Sequence, residues 1–346
     1  MAKFTEEGLK SAIKSQTFAP VYVLYGDEQY LVNHYVNQLA NTLVGDIMPD
    51  FNLSRLSGET TYLGQIIESA EGLPMMHNHR CVLVWDYSPA EETDSTLKDW
   101  EAYLSDPCEG NVVVFYYTTV KPGNSKNWKT FLSSCEKYGG VLTLNKKTQA
   151  EIVKILCSGA GKRGCRISAS TAGYLVECVG EDLNTLLCEL EKLCAFKANQ
   201  EITNGDIDRL CHKTLSATAF QMIREINRKN SSGALRILHH LYQMREDPIK
   251  ILGALSSSYV NMYRALTADE ARLPLAAFGK ELGMKNVNGL NYSLKDARAL
   301  GGKRLDRSLS ILADYDKKIK SQSVDPKLLL EQTVVELLKT AGANYD

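Results

Sequence analysis

Three short segments of the sequence combine residue types and spacings that could support chemistry. The first is the turn at Gly26, which ends the β-branched and aromatic run 20–26 and is followed by Asp27 and Glu28. A nucleotide-binding α/β domain would place its phosphate loop here, with free backbone amides and a positive side chain. This turn has one glycine, no lysine and two carboxylates, so we expect it to repel ATP.

The second segment is the glycine-rich stretch Gly159–Gly164. A phosphate loop would require glycine at position 156 and serine or threonine at position 163, where this chain has Leu156 and Arg163. The stretch also separates two predicted helices instead of following a strand. We therefore interpret it as a helix-to-helix turn.

The third segment is the histidine pair His77 and His79. Two histidines at this spacing can bind a metal, but no carboxylate or thiol companion follows at a useful spacing, so polar loop residues are the favoured interpretation. The sequence also lacks a Gly-x-Ser-x-Gly elbow and a recognisable acid pair. We predict a protein without a catalytic site, a cofactor or a metal of its own.

The cysteines and the amino terminus indicate the compartment. Nine cysteines lie in apolar runs without any Cys-x-x-Cys pair, which is typical of buried free thiols in a reducing cytosol. The amino terminus has no apolar signal core, and no apolar run approaches the roughly 18 residues of a membrane span. These features predict a soluble cytoplasmic protein that does not contact a membrane.

Length and charge distribution indicate more than one domain. The chain has 346 residues, of which 44% are hydrophobic, so two or three cores are expected. The formal net charge of -1 combines an acidic stretch 1–212 at -8 with a basic stretch 213–346 at +7. This asymmetry predicts domains with different partners, and the total charge gives no general affinity for nucleic acid.

The elements that position these segments change type along the chain. Up to about residue 144, apolar strand patterns alternate with amphipathic helices, which predicts a parallel α/β sheet with helices on both faces. The predicted strands are 20–26, 51–56, 80–85, 111–117 and 141–144. Beyond residue 144 only helices are predicted. We expect an α/β domain at 1–144, a small helical domain at 145–212 and a helical bundle at 213–346.

One turn in the α/β domain has an unusual apolar sequence. Leu73, Pro74, Met75 and Met76 lie between a predicted helix and a predicted strand. Two adjacent methionines on a short turn cannot easily both face the core, so they fit an exposed anchor for the pocket of a partner protein. The alternative, that one or both methionines tuck under the sheet, has equal weight from the pattern alone.

Five segments resemble the bacterial clamp-loader delta family, and their order and spacing together are specific. The run Pro20–Leu31 is similar to the family's opening "P-x-Y-x-L-x-G-x-E-x-x-L", and Leu73–Val84 is similar to its "L-P-F-F…R-x-V-x-V" segment. Arg163–Ser168, Val179–Leu183 and Glu189–Leu193 resemble motif positions of its second domain. The resemblance extends nearly from end to end.

The resemblance implies an AAA+-like first domain that has lost its phosphate loop, a small helical lid domain and a helical collar for assembly. In the family, an apolar pair on the first domain inserts into a hydrophobic pocket of the ring-shaped sliding clamp. By position this pair is Met75 and Met76, with Leu73 and Pro74 shaping the tip. The family pair is often Leu-Phe or aromatic, so Met-Met is a departure that keeps the apolar character.

The function implied by the resemblance is that of a non-catalytic subunit of the DNA polymerase III holoenzyme. Such a subunit binds and opens the sliding clamp so that it can be loaded on primed DNA during replication. The implied partners are the clamp, the delta-prime and gamma/tau subunits, and primer-template DNA within the complex. ATP hydrolysis would come from other subunits.

Basic residues in the last domain allow two interpretations. The favoured interpretation is that they form a solvated helix face. The alternative is a surface that contacts other subunits or primer-template DNA. The residues concerned are Lys303, Arg304, Arg307, Lys317, Lys318 and Lys320.

Two other functions remain open from the residues. One is a degenerate nucleotide-binding protein or hydrolase that uses the turn Gly159–Gly164. The other is a delta-prime-type stator subunit. That family usually carries a Ser-Arg-Cys motif and cysteine zinc ligands, and this sequence contains neither.

Overall fold

The computed structural model describes residues 4–45, 49–284, 288–321 and 324–342. The chain divides into two compact units, residues 1–148 and residues 149–346. The second unit contains both of the helical domains predicted from the sequence, and the division into three domains stays a prediction.

Five parallel strands form the sheet of the first unit. They are β1 (Val21–Tyr25), β2 (Leu53–Ser57), β3 (Arg80–Trp85), β4 (Asn111–Tyr116) and β5 (Gly140–Thr143). Their order in the sheet is β2-β3-β4-β1-β5. Because all five strands run the same way, their amino ends meet at one edge of the sheet, the amino edge, and their carboxyl ends meet at the carboxyl edge.

Helices cover both faces of this sheet, because the central strands are apolar on both sides. The helices are α1 (Glu6–Ser15), α2 (Gln29–Leu43), α3 (Pro49–Asn52), α4 (Leu63–Glu71), α5 (Asp94–Ser105) and α6 (Lys126–Tyr138). Helices α4, α5 and α6 share a core with one face, in which the rings of Phe115 and Phe131 are 5.0 Å apart and Trp100 lies 5.6 Å from Phe115. Helix α2 packs against β1, β3 and β4.

The second unit is predominantly helical. Its helices are α7 (Gln149–Lys162), α8 (Ala169–Val179), α9 (Leu183–Lys197), α10 (Asn204–Leu210), α11 (Leu215–Asn227), α12 (Ser231–Gln243), α13 (Pro248–Glu270), α14 (Leu275–Glu281), α15 (Asn288–Leu300), α16 (Gly302–Ser321) and α17 (Pro326–Gly342). Helix α13 packs against α11, α15 and α16, and its Tyr259 is completely buried. Pro248 occupies the first turn of α13, where Asp247 accepts a hydrogen bond from the Ile249 amide at 2.7 Å.

The predicted fold class, a parallel α/β domain followed by helices, is confirmed, with three local corrections. Two short strands, β6 (Arg166–Ile167) and β7 (Glu201–Ile202), pair in parallel within the second unit. The prediction of helices alone beyond residue 144 was wrong there, because two-residue strands leave no periodic pattern in a sequence. Phe51 and Asn52 lie in α3 and not in the predicted strand 51–56, since Pro49 begins a helical turn first.

The third correction concerns the glycine-rich stretch. Helix α7 continues to Lys162, so Gly159 and Gly161 lie inside the helix and only Arg163 and Gly164 form the turn that follows it. Gly164 has a φ of +76°, a conformation that glycine adopts without strain. This placement agrees with a helix terminus and differs from a loop that follows a strand.

The nine cysteines are free thiols, and six of them are buried. The prediction of buried thiols was wrong for Cys188, which is exposed on α9. Burial raises the pKa of the Cys81 thiol to about 12, so this group packs as a neutral hydrophobic side chain. No helix within the described residues has both the length and the apolar character needed to cross a membrane.

Candidate protein-binding surface

The turn 73–76, called the tip below, presents apolar side chains to solvent. Leu73, Met75 and Met76 are 75, 48 and 84% exposed, and Pro74 is half-buried. The sequence leaves open whether the methionines are exposed or tuck under the sheet. In the structure both are exposed. The tip precedes β3, so it lies at the amino edge of the sheet.

A buried amide side chain holds the backbone of the tip. Asn52, at the end of α3, is completely buried. Its Nδ2 donates to the carbonyl oxygen of Met75 at 2.9 Å, and its Oδ1 accepts from the amide of Met75 at 2.8 Å. The pair of bonds satisfies this buried amide, so movement of Met75 would leave polar atoms without partners.

Arg80 and Asn111, the first residues of β3 and β4, hold the chain just before the tip and the backbone of α3. Arg80 donates from Nη1 to the carbonyl of Phe51 at 2.6 Å and from Nε to the carbonyl of Ser69 at 3.1 Å. Asn111 donates from Nδ2 to the carbonyls of Ala70 at 2.6 Å and Gly72 at 2.8 Å. Polar side chains from β3, β4 and α3 thus fix a backbone whose apolar side chains remain exposed.

The backbone of Met76 adopts a left-handed conformation, with a φ of +53°. For a residue with a side chain this conformation costs on the order of 1 kcal/mol, and it persists only where the surrounding structure imposes it. The hydrogen bonds of Asn52 to the preceding residue provide such a constraint. The tip therefore presents apolar side chains on a constrained backbone. A constrained backbone is suited to an anchor that enters a protein pocket.

The carboxyl edge of the sheet has the opposite character, because its two buried carboxylates, Glu28 and Asp86, are bonded within the chain. Glu28 is almost completely buried after β1, and Lys146 lies 3.1 Å from its carboxylate. The amide of Glu28 donates to the carbonyl of Leu144 at 2.9 Å. Gly26 has a φ of +143°, and a side chain there would collide with the Leu144 backbone. The turn is closed against β5, which differs from the open cradle of amides that a phosphate needs.

Asp86, at the end of β3, completes the same edge. One carboxylate oxygen accepts from the amides of Thr118, Thr119 and Val120, and the other accepts from the hydroxyls of Thr118 and Thr119 at 2.7 and 2.8 Å. Burial raises the pKa of Asp86, but these hydrogen bonds outweigh it and hold the pKa below its ordinary value. The backbone amides after β4, which could bind an anion, already bind this carboxylate.

The histidine pair lies beside the tip as structural polar groups. The Nδ1 of His77 accepts from the amide of His79 at 3.1 Å, and the Nδ1 of His79 lies 3.1 Å from the carbonyl of Gly110. Across the described ranges, no three side chains of His, Cys, Asp or Glu are grouped in a way that could hold a metal ion.

The basic residues predicted as a contact surface lie on α16, in the second unit, in its first two and its last two turns. Lys303, Arg307 and Lys317 are exposed. Lys320 pairs with Asp316 at 2.6 Å, and the Lys318 ammonium lies 4.5 Å from the centre of the Tyr315 ring. These local partners favour the solvated-face interpretation for the last turn. A contact with DNA or another subunit stays a prediction.

The sequence predicts the tip but not the residues that support it. Arg80 and Asn111 are polar residues at the start of two otherwise apolar strands. This position is visible in the sequence, which by itself predicts no function for these residues. Asn52 was placed in a strand. The Pro49-Asp50 pair before it was the signal for a helical turn, because proline and an acidic residue are favoured at helix starts.

Comparison with known proteins agrees with this architecture. A family model described as "DNA polymerase III, delta subunit" matches residues 22–137, and one described as "DNA polymerase III delta subunit, C-terminal domain" matches residues 216–337. The DNA polymerase III subunit delta of Bacillus subtilis is 26% identical over 344 residues, which cover 96% of this chain and 97% of that protein. A probable DNA polymerase III subunit delta of Aquifex aeolicus is 22% identical over 275 residues, which cover 77% of this chain and 76% of that protein.

A solved structure supports the same relationship. The Bacillus subtilis DNA clamp loader delta protein superimposes with a TM-score of 0.60 at 26% identity, and the match covers 96% of this chain and 98% of that one. Sequence and fold therefore agree over nearly the whole length.

Proposed function

The chain belongs to the DNA polymerase III delta subunit family of clamp loaders, and on that premise we propose that it binds the sliding clamp through the tip and favours the open ring. The observation that carries the proposal is the exposure of Leu73, Met75 and Met76 on a backbone held by buried hydrogen bonds. Exposed apolar side chains on a fixed backbone fit an apolar pocket without a large entropic cost of ordering.

Opening of the ring follows from differential binding. A subunit that binds the clamp more tightly when one ring interface is open shifts the ring towards the open state by the difference in binding free energy. Methionine side chains suit this role, because their flexible thioethers adapt to a pocket that changes shape. The clamp can then be loaded on primed DNA.

We further propose that the chain hydrolyses no nucleotide. The position of a phosphate loop after β1 holds the buried carboxylate of Glu28, and the amides after β4 bind Asp86. An incoming triphosphate would meet negative charge in place of free amides. Other subunits of the clamp loader would supply the ATP hydrolysis.

The test of clamp binding uses the double variant Met75→Ala, Met76→Ala of the full chain with the sliding clamp of the same organism. The wild-type chain should form a complex of one chain with one ring. The double variant should bind more weakly by about 2–4 kcal/mol, because two anchors are truncated at an interface centre. Calorimetric titration measures the affinity, and thermal unfolding should be unchanged because both side chains are exposed.

The matched control is Met244→Ala, which truncates a methionine that is also exposed but lies in the second unit. It should leave clamp affinity unchanged. Equal affinity of the wild type and the tip variant would overturn the proposed binding site. Stoichiometric binding of ATP in equilibrium dialysis of the isolated chain would instead favour the degenerate nucleotide-binding alternative.

A further inference from the structure

The surface beside the tip contains an exposed aromatic residue that the proposed function has not used. Phe51 of α3 is 49% exposed, although a phenyl ring is among the side chains with most to gain from burial. It precedes Asn52, whose amide binds the Met75 backbone, and its own carbonyl accepts from Arg80. Phe51 is therefore joined to the tip through its neighbour Asn52, and to the start of β3 through Arg80.

We propose that α3 is the second half of the clamp-binding surface, with Phe51 as a further apolar anchor and Asn52 as a positioning residue. This inference rests on the proposed function and extends it. The occupant is the sliding clamp, because Phe51 is exposed and adjoins Asn52, whose side chain binds the backbone of the tip that the proposed function assigns to the clamp. The clamp pocket then accommodates a phenyl ring beside thioethers.

The chemistry of the two side chains assigns different roles. The phenyl ring of Phe51 can be truncated without disturbing a hydrogen bond, since only its backbone carbonyl is used in the contact with Arg80. Asn52 is completely buried and cannot touch a partner, so it can act only by fixing the Met75 backbone. Loss of that constraint would leave the tip to be ordered on binding, which lowers affinity without removing a contact.

The test of the anchor compares two phenylalanines with the same exposure. Phe51→Ala should weaken clamp binding about tenfold, as expected for an aromatic anchor. Phe196→Ala removes a ring that is also 49% exposed, on α9 in the second unit, and should leave the dissociation constant unchanged. An unchanged dissociation constant for Phe51→Ala would overturn the role of Phe51.

The test of the positioning residue compares Asn52→Ala in two backgrounds, the wild-type tip and the variant Met75→Ala, Met76→Ala. In the wild-type background Asn52→Ala should weaken clamp binding about tenfold. In the truncated background its effect should nearly vanish, because the side chains it positions are gone. An equal loss in both backgrounds would show general structural damage and overturn the positioning role.

The affinities of these variants distinguish a failure of this inference from a failure of the proposed function. If the double methionine variant binds as the wild type does, the proposed function fails. If the double variant loses affinity while Phe51→Ala behaves like Phe196→Ala, the tip binds the clamp and only the role of Phe51 is overturned. Thermal unfolding of each variant identifies a change in affinity that arises from partial unfolding.

Discussion

The two edges of the sheet in the first unit differ in where they direct their polar and apolar groups. At the carboxyl edge, the carboxylates of Glu28 and Asp86 are buried and bonded within the chain. At the amino edge, buried amides hold the backbone while Leu73 and Met76 project into solvent. Open α/β sheets usually bind their ligands outside the carboxyl ends of the strands. In this chain the usual ligand edge is closed, and the exposed apolar groups lie at the opposite edge.

Under the proposed function, the fold keeps its sheet and contacts its partner at the opposite edge from the usual ligand edge. The hydrogen bonds at the carboxyl edge contribute stability, and they occupy the amides of Glu28 and of residues 118–120, which could otherwise bind phosphate. Exposed apolar groups at the amino edge contribute little to the stability of the fold. Their burial against a partner can therefore stabilise a complex. If this comparison is right, substitutions at the two edges should change different quantities.

The largest expected effect at the carboxyl edge is that of Asp86→Ala. It should lower the free energy of unfolding by about 2–4 kcal/mol, because three amides and two hydroxyls lose their acceptor. Urea unfolding measures this loss. Clamp affinity of the folded protein should change by less than about twofold, since other residues hold the tip.

Asp86→Asn is the control, because it keeps one acceptor oxygen and the shape of the side chain. Its loss of stability should lie between the wild type and Asp86→Ala. A loss of clamp affinity in Asp86→Ala as large as that of the double methionine variant would contradict the independence of the two edges.

A smaller effect is expected from pH, through Glu6. Its carboxylate accepts from Lys10, Lys147 and the Tyr35 hydroxyl at 2.6–2.8 Å. Burial raises the pKa of Glu6, but these bonds outweigh it and lower the pKa from 4.5 to about 2. A folded-state pKa below the unfolded value stabilises the fold above the unfolded pKa. That contribution is lost as the pH falls from about 4.5 towards 2.

Glu6→Gln should therefore lower the free energy of unfolding at pH 7 by roughly 1–2 kcal/mol, and the difference from the wild type should narrow in acid. Chemical unfolding at a series of pH values measures it. Glu7→Gln, at the exposed neighbouring position, is the control and should differ little from the wild type at every pH. A difference that stays constant down to pH 3 would be inconsistent with the lowered pKa of Glu6.

The smallest expected effect is that of Glu28→Gln at the turn after β1. Lys146 is 59% exposed, so loss of this ion pair should cost less than about 1 kcal/mol. The variant should still bind no ATP in equilibrium dialysis, because Gly26 and Leu144 keep the turn closed. Appearance of ATP binding would show that one charge, and not the closed backbone, excludes the nucleotide.

Much of the fold could be predicted from local patterns. The strands at 21–25, 80–85 and 111–116 are strongly apolar runs bounded by polar or glycine residues, and such runs specify buried parallel strands. The strands β6 and β7 are not predicted, because two-residue strands leave no periodic pattern. Helix α1 is not predicted either, although its sequence carries a helix signal: Thr5 caps it, and Leu9 and Ile13 lie one turn apart on its buried face. Phe51 lies in the predicted strand 51–56, and aromatic residues favour strands, but Pro49 begins a helical turn that includes it.

The sequence by itself determined that the turn after β1 has one glycine, no lysine and two carboxylates, and that the turn 73–76 is apolar, because both statements depend only on residue types and their order. Only the tertiary structure decided that the methionines are exposed and that Asn52, Arg80 and Asn111 hold the tip. The physical reason is that these residues are separated in the chain and meet only when the amino ends of parallel strands are brought to one edge of the sheet.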